Sequence, residues 1–265
     1  MAGEYSASWQ RHDPVRRIAR FAALLGALVV VVASWSALNV RYDYVATAPR
    51  EMRNIFVRMY PPDAAYTGEI VWPLIHTVNI AVIGTMFAVL MALPIAYIGA
   101  DNTTPNRITY ALGKFLIVAS RSVHVIIWAL IFVVVFGTGT LAGIFAVAFR
   151  SIGFVAKLLA EEIEEIDPSS VEAIRATGGN GLDVLVYGVV PQVKPAFIGI
   201  TTYRWDINVR EATIIGFVGA GGIGVELSTQ INFFNWNGVL TILLAILGIV
   251  IVSEVVSAYL RGKVR

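Results

Sequence analysis

Long apolar runs alternate with short polar breaks along the chain, and the runs have the length of membrane spans. The first, Ile18–Leu38, matches the roughly 20 residues that a helix needs to cross a hydrocarbon core. It follows Arg11, Arg16 and Arg17, and carries Arg20 near its start. Basic residues ahead and the small-residue stretch Ala33-Ser34-Trp35-Ser36-Ala37 also fit a signal peptide. The run outlasts the roughly 7–15 apolar residues of a signal core, so it reads as an anchor that stays. The second run extends from Trp72 to Ala100, with His76-Thr77-Val78 near its opening and Pro94 able to kink it. Turn residues 101–106 lead to a third run, Ile108–Phe136, read as one helix. Gly137-Thr138-Gly139-Thr140 turns the chain into a fourth, Leu141–Leu159, and the acids Glu161, Glu162, Glu164 and Glu165 return it to water. A fifth run starts after Pro191 or Pro195, meets the polar cluster Arg204–Glu211, and regains apolar character at Ala212. The sixth, Val239–Leu260, is followed by Arg261, Lys263 and Arg265.

Composition agrees with a membrane protein. Of 265 residues, 57% are hydrophobic and 14% charged, with mean hydropathy +0.72. A soluble domain carries about 25% charge, so much of this surface must face something other than water. The net charge of +2 is too small, and the basic residues too scattered, for a nucleic-acid partner. With no cysteine there is no disulfide, thiolate metal site or cysteine nucleophile. His12, His76 and His124 are far apart and form no metal-ligand pattern. These features predict an all-α polytopic bundle of about six spans: a tail over 1–17, then one membrane domain over 18–265. Six spans put both termini on one side, and the flanking basic residues assign that side to the cytoplasm. Residues 160–190 then face the cytoplasm and 41–70 lie outside. That outer loop holds four basic and four acidic residues. Its stretch Glu51–Tyr60 is amphipathic and ends at Pro61-Pro62, which suits a helix on the lipid surface or a partner contact equally.

The most informative stretch is Glu172-Ala173-Ile174-Arg175-Ala176-Thr177-Gly178. A helix start, Asp167-Pro168-Ser169-Ser170, precedes it, Gly178-Gly179-Asn180-Gly181 breaks it, and Pro191 follows. A short exposed helix between spans suggests a surface on which something docks. Glu-Ala, a Gly six residues after the Glu and a Pro nineteen after it resemble the EAA loop of ABC-importer permeases. The sequence departs from that pattern at Ile174, where a second Ala is usual, and at Gly188, where Ile is expected. The resemblance implies a coupling helix seated in a cleft of an ATPase subunit. Glu172, Ala173, Arg175 and Gly178 would transmit motion, and Pro191 would mark the junction into the fifth span.

Gly219-Ala220-Gly221-Gly222-Ile223-Gly224 matches a dinucleotide fingerprint literally, but an apolar span leads into it and no second strand pattern follows. Close backbone approach, or irregular backbone lining a cavity, fits better. Residues Tyr203–Thr213, Gly216 and Val218–Gly224, with Arg121–Leu130, are similar to the phosphonate-importer permeases. With the EAA-like loop, the likeness covers the chain from about residue 70 to its end.

Charge inside a membrane is costly, so Arg121, His124, Arg150 and Lys157 are functional candidates. On one helix Arg121 and His124 would be i, i+3 and share a face toward a pore, where Arg suits the PO3 group of an anion. Arg121 pairing with a carbonyl or an acid on a neighbouring span fits equally well. Asp206 and Arg210 are i, i+4 and can neutralise each other, while Arg204, Asn208 and Glu211 share a second face. Their charges cancel, which points to a structural network at a gate. No phosphate-binding G-x-x-x-x-G-K-[ST] is present, so energy must come from another subunit.

Together the resemblances imply a type I ABC-importer permease fold, a homodimer, two ATPases that bind ATP and Mg, an external binding protein, and a phosphonate substrate. This chain itself would need no cofactor. Phosphite, phosphate or another oxyanion is the alternative cargo. A membrane enzyme acting on a lipid phosphate through Arg121, His124 and Arg204 is a different-class alternative, but no nucleophile or base stands at recognisable spacing. A passive channel is a third.

Overall fold

The computed structural model describes residues 14–38 and 40–264. Arg11, His12, Arg265 and most of the 1–17 tail lie outside the described residues. The chain divides into two units, Met1–Phe56 and Val57–Arg265. In the first, helix α1 (Pro14–Ala37) is followed by the start of α2 (Tyr42–Met59), and the Trp35 indole N–H donates to the Tyr42 hydroxyl at 2.6 Å. The apolar side chains along α1 are exposed, as expected of a helix whose solvent is lipid. The amphipathic segment is longer than Glu51–Tyr60: α2 begins at Tyr42, runs through Pro49, and buries none of its residues.

The second unit is built on α3 (Thr67–Gly99), α6 (Thr140–Glu164) and α9 (Val190–Ile215). Between them come α4 (Arg107–Ser122), α5 (Val125–Phe136), α7 (Pro168–Ala176) and α8 (Gly181–Asp183). After them come α10 (Ile223–Asn232) and α11 (Trp236–Val264). All the described regular structure is helical. Among the described residues, five helical segments, α1 included, are long and apolar enough to span, and a sixth span follows if α4 and α5, bent by 90°, form one broken crossing.

Small residues set the packing. The buried stripe of α3 is Thr77, Ala81, Gly84, Thr85, Ala88, Ala92, Ala96 and Gly99, interrupted by few large side chains. It meets Gly143, Ala146, Val147 and Ala156 of α6. In lipid, helices associate by close contact and not by escape from water, so small residues that bring backbones together carry the stabilisation. A Cβ on Gly113 of α4 would stand 2.8 Å from Gly99 Cα of α3, backbone against backbone. The C-terminal end of α6 is tied by Glu164, which accepts from Asp101 N at 3.0 Å and pairs with Lys114 at 3.3 Å. At the opposite end, Tyr66 donates to Glu226 at 2.9 Å, and burial followed by that bond holds its phenol above the ordinary value.

Four expectations change. The Ile108–Phe136 run is two helices, because the chain is extended at Val123 and His124 and turns there. Arg121 lies in the last turn of α4 and His124 caps α5, so they do not share a helix face. The fifth span does not begin after Pro191 or Pro195. Helix starts at Gly181, passes through a π-helical turn, Val184–Val189, and carries both prolines within it. The wide turn suits Pro191, which follows it and has no N–H for the α-helical ladder. The fourth span continues beyond Leu159 as helix to Glu164.

The glycine run is a site of close approach. It joins α9, through a 3₁₀ turn at Gly216–Val218, to α10, so it lies between helices and not in a strand–helix turn. Gly222 has φ 74°, and a Cβ there would meet Thr77 Oγ1 at 2.6 Å. The same hydroxyl accepts from Ile223 N at 2.8 Å. Replacing Gly113 by Ala should lower thermal stability by about 1–3 kcal/mol, as overpacking against backbone does. Gly248→Ala meets nothing within 4 Å and should not. Thermal melts of both variants in detergent, monitored by circular dichroism, compare them directly.

Candidate functional site

The EAA-like segment folds as α7, a nine-residue helix with no fully buried residue. Asp167 starts it, accepting from Ser169 Oγ at 2.6 Å and Ser169 N at 2.9 Å. These two bonds hold the Asp167 carboxyl below the ordinary carboxylate range. Pro168 occupies the first turn, where a missing N–H costs nothing. Gly178, at φ 84°, ends the helix in the left-handed region that favours glycine. Asn180 then caps the next helix: its side chain accepts from Leu182 N and Asp183 N, while its own N–H donates to Asp183.

Val171 and Ile174, one turn apart, are half-buried, whereas Glu172, Ala173, Arg175 and Gly178 are exposed. The two departures from the EAA pattern lie on the inward side. Gly179 backs onto Ile174, and a Cβ on Gly188 would already stand 3.4 Å from Val171 Cγ2. Gln192, which sequence reasoning missed, clamps the base of the loop. It accepts from Asp167 N at 2.9 Å and donates to Gly188 O at 2.7 Å. Pro191 is exposed in the first turn of α9, where the π turn ends. A cleft of about 470 Å³ lined by Tyr97, Glu164, Glu172, Arg175 and Leu185 opens beside α7.

The polar cluster of α9 forms two hydrogen-bonded networks within the bundle. Arg204, 2% exposed, donates from Nε to Ser151 Oγ of α6 at 2.9 Å and from Nη2 to Glu211 at 2.9 Å. Its guanidinium also lies over the Phe154 ring, 5.2 Å from the centroid. Ser151 in turn donates to Asn208 Oδ1 at 3.0 Å, and Asn208 Nδ2 donates to Thr85 of α3 at 2.8 Å. On the other side of α9, Asp206 pairs with Arg210, which also reaches Glu254 of α11 at 3.3 Å. Ser253 of α11 donates to Asp206 at 2.7 Å. One helix is thereby tied to three others. Sequence reasoning missed Thr85, Ser151, Ser253 and Glu254. Their only signal was being isolated polar residues within apolar runs.

Arg121 and His124 stand at the α4–α5 corner, and both are exposed. Ser120 staples that corner to α6, donating to Phe149 O and accepting from Gly153 N at 2.9 Å. His124 uses Nδ1 to cap α5, accepting from Ile126 N at 3.4 Å. Lys157 is paired with Glu161 at 2.7 Å, on its own helix. Among the described residues, four buried side-chain atoms have no hydrogen-bond partner: Trp128 Nε1, Arg150 Nη1, Thr201 Oγ1 and Trp205 Nε1.

An apolar helical bundle with one short, charged, outward-facing helix between two spans is the architecture of a membrane transport subunit. Residues 84–265 match the family described as "Binding-protein-dependent transport system inner membrane component", and the chain belongs to it. It is the membrane permease subunit of an ABC importer. It is 35% identical to the phosphite transport system permease protein PtxC of Stutzerimonas stutzeri, over 93% of this chain and 89% of that one. It is 43% identical to the putative cryptic phosphonate transport system permease protein PhnE2 of Escherichia coli K12, over 44% of this chain and 95% of that one. The fold is similar to that in a structure titled "Inward facing conformations of the MetNI methionine ABC transporter", with TM-score 0.66 and 19% identity. That match covers 77% of this chain and 99% of that one.

Removing one partner of a buried pair strands the other, so Arg204→Gln should cost about 3–5 kcal/mol. Combining it with Glu211→Gln should cost less than the sum of the single changes, read by a double-mutant cycle on thermal stability. The lowered Asp167 value means that its contribution to α7 is present above the ordinary carboxylate range and lost as pH falls through the depressed value. Pepsin nicking within 168–181, normalised to an unstructured control peptide, should therefore rise toward pH values below that range. Asp167→Asn should flatten this dependence.

Proposed function

We propose that the chain forms a homodimeric permease that carries phosphonates across the cytoplasmic membrane, with both termini and residues 160–190 on the cytoplasmic side. A binding protein delivers the anion to the outer face, and two ATPase subunits, which bind ATP and Mg, engage α7 from within. Closure of the ATPases draws the two copies of α7 together and alternates access to the pathway. The observation that carries this reading is the division of α7 itself. Val171 and Ile174 anchor it to the bundle, while Glu172, Ala173, Arg175 and Gly178 face outward. A helix anchored on one side and exposed on the other can receive a push and pass it on. The Gln192 clamp and the Asp167 cap would keep it rigid while it does so.

The names of the relatives support a tetrahedral phosphorus oxyanion as cargo, phosphite and phosphonate among them. Phosphite or phosphate is the second reading, favoured by the near full-length likeness to a phosphite permease. Binding measurements on the partner binding protein, with methylphosphonate, phosphite and phosphate, separate these cargoes. The polar residues Arg204, Asp206, Asn208, Arg210 and Glu211 act as a gate hinge in this scheme, and Arg121 and His124 stand along the pathway.

Glu172→Lys or Gly178→Asp should abolish ATP-driven uptake while leaving membrane insertion intact. The first reverses the charge offered to the ATPase, and the second places a side chain at positive φ. Uptake assays beside membrane fractionation check both parts. Purification of the intact chain from its native membrane should bring down a P-loop ATPase, and normal uptake by either variant would overturn the coupling role.

A further inference from the structure

Three of the four unpartnered buried atoms are N–H donors, and they belong to Trp128, Arg150 and Trp205. Contacts made by Trp128 and by the chain neighbours of Arg150 and Trp205 link the helices that carry them. Trp128 of α5 packs on Phe149, with ring centroids 5.2 Å apart, and Phe149 precedes Arg150 on α6. Ser151, which follows Arg150, accepts from Arg204, which precedes Trp205 on α9. Trp128 and Trp205 also pack against the same apolar cluster. The Arg121 stem lies against Gly153, one turn along α6 from Arg150, at the α4–α5 corner. None of Arg121, His124 and Arg150 forms an ion pair among the described residues.

A buried donor without an acceptor is costly, and several together are expensive to keep dry. The neighbouring polar residues have partners of their own: Arg204 bonds Ser151 and Glu211, Asn208 bonds Ser151 and Thr85, and Asp206 pairs with Arg210, yet Arg150 takes no part in these bonds. The missing element is an acceptor with several oxygens and negative charge. We propose that Arg150, with the indole N–H groups of Trp128 and Trp205, forms an oxyanion-binding station in the transport path, entered past Arg121 and His124. The station takes tetrahedral phosphorus oxyanions. One guanidinium with neutral donors holds such an anion loosely enough to release it, which transport requires. This deepens the proposed function and rests on it.

The test is uptake by the complete transporter, with its binding protein and ATPases, reconstituted in liposomes with labelled phosphite, methylphosphonate and inorganic phosphate as probes. Arg150→Gln should lower uptake at saturating binding protein tenfold or more, and Arg150→Lys should restore part of it. Trp128→Phe and Trp205→Phe, which remove an N–H and keep an aromatic ring, should each lower uptake several-fold and change the ratio among the three probes. A purely structural role would reduce all probes in proportion, and that result would overturn the station. Unchanged uptake by Arg150→Gln in a wild-type complex that carries the probes would overturn it too. If Arg150→Gln fails to assemble, the probe ratios of the two Trp variants decide. If the wild type carries none of the probes, the phosphorus-oxyanion reading itself falls, an outcome distinct from loss in the variants alone.

Discussion

The requirement that charge inside the bundle be paired governs this structure. α9 brings two arginines, two acids and an asparagine into a bundle whose other contacts are mostly apolar. Each finds a partner on α9 itself or on α3, α6 or α11. Pairing within α9 cancels the charges, and the bonds to Ser151, Thr85 and Ser253 fix the helix in rotation and depth. Apolar packing alone is poor at fixing register, because one helical turn of Val and Ile resembles the next. A polar contact cannot slide by a turn without stranding a buried donor.

That fixed helix connects the membrane interior with α7. α9 continues back through the π turn to Gln192 and Gly188, where the loop is clamped and Val171 rests. α7 and α9 are therefore joined through a short, well-bonded path. The same helix ends in the glycine run, which lies against Thr77 and the turn at Gly139–Thr140. A displacement at one end of α9 has rigid contacts to act on at the other.

The small-residue stripes have a complementary role. Between α3, α4 and α6 the backbones approach closely enough that a single methyl would be felt, at Gly113 as at Gly84. Such surfaces fit in few arrangements, which suits elements that move as rigid bodies. Large exposed apolar side chains are distributed over the outer faces of the helices, where lipid and other subunits are the available solvents.

Much of this was legible in the sequence. The first, second, fourth and sixth spans followed from run length, because hydrocarbon thickness sets a minimum that short core helices do not meet. The cap at Asp167-Pro168, the stop at Gly178 and the Asp206–Arg210 pair followed from local geometry, since each involves residues within a turn or two of one another. Tertiary contact decided the rest. The corner between Ser122 and Val125 is invisible in a continuous apolar run, because hydropathy records affinity for lipid and not direction. It separated Arg121 from His124, which spacing alone had placed on one face. The partners Thr85, Ser151 and Ser253 lie tens of residues from α9 in sequence, so no local pattern names them. Sequence alone determined what each segment must be surrounded by, because transfer energies belong to individual residues. Only the folded bundle determined which polar groups meet and which donors remain without an acceptor, because those depend on the registers of helices distant in the chain.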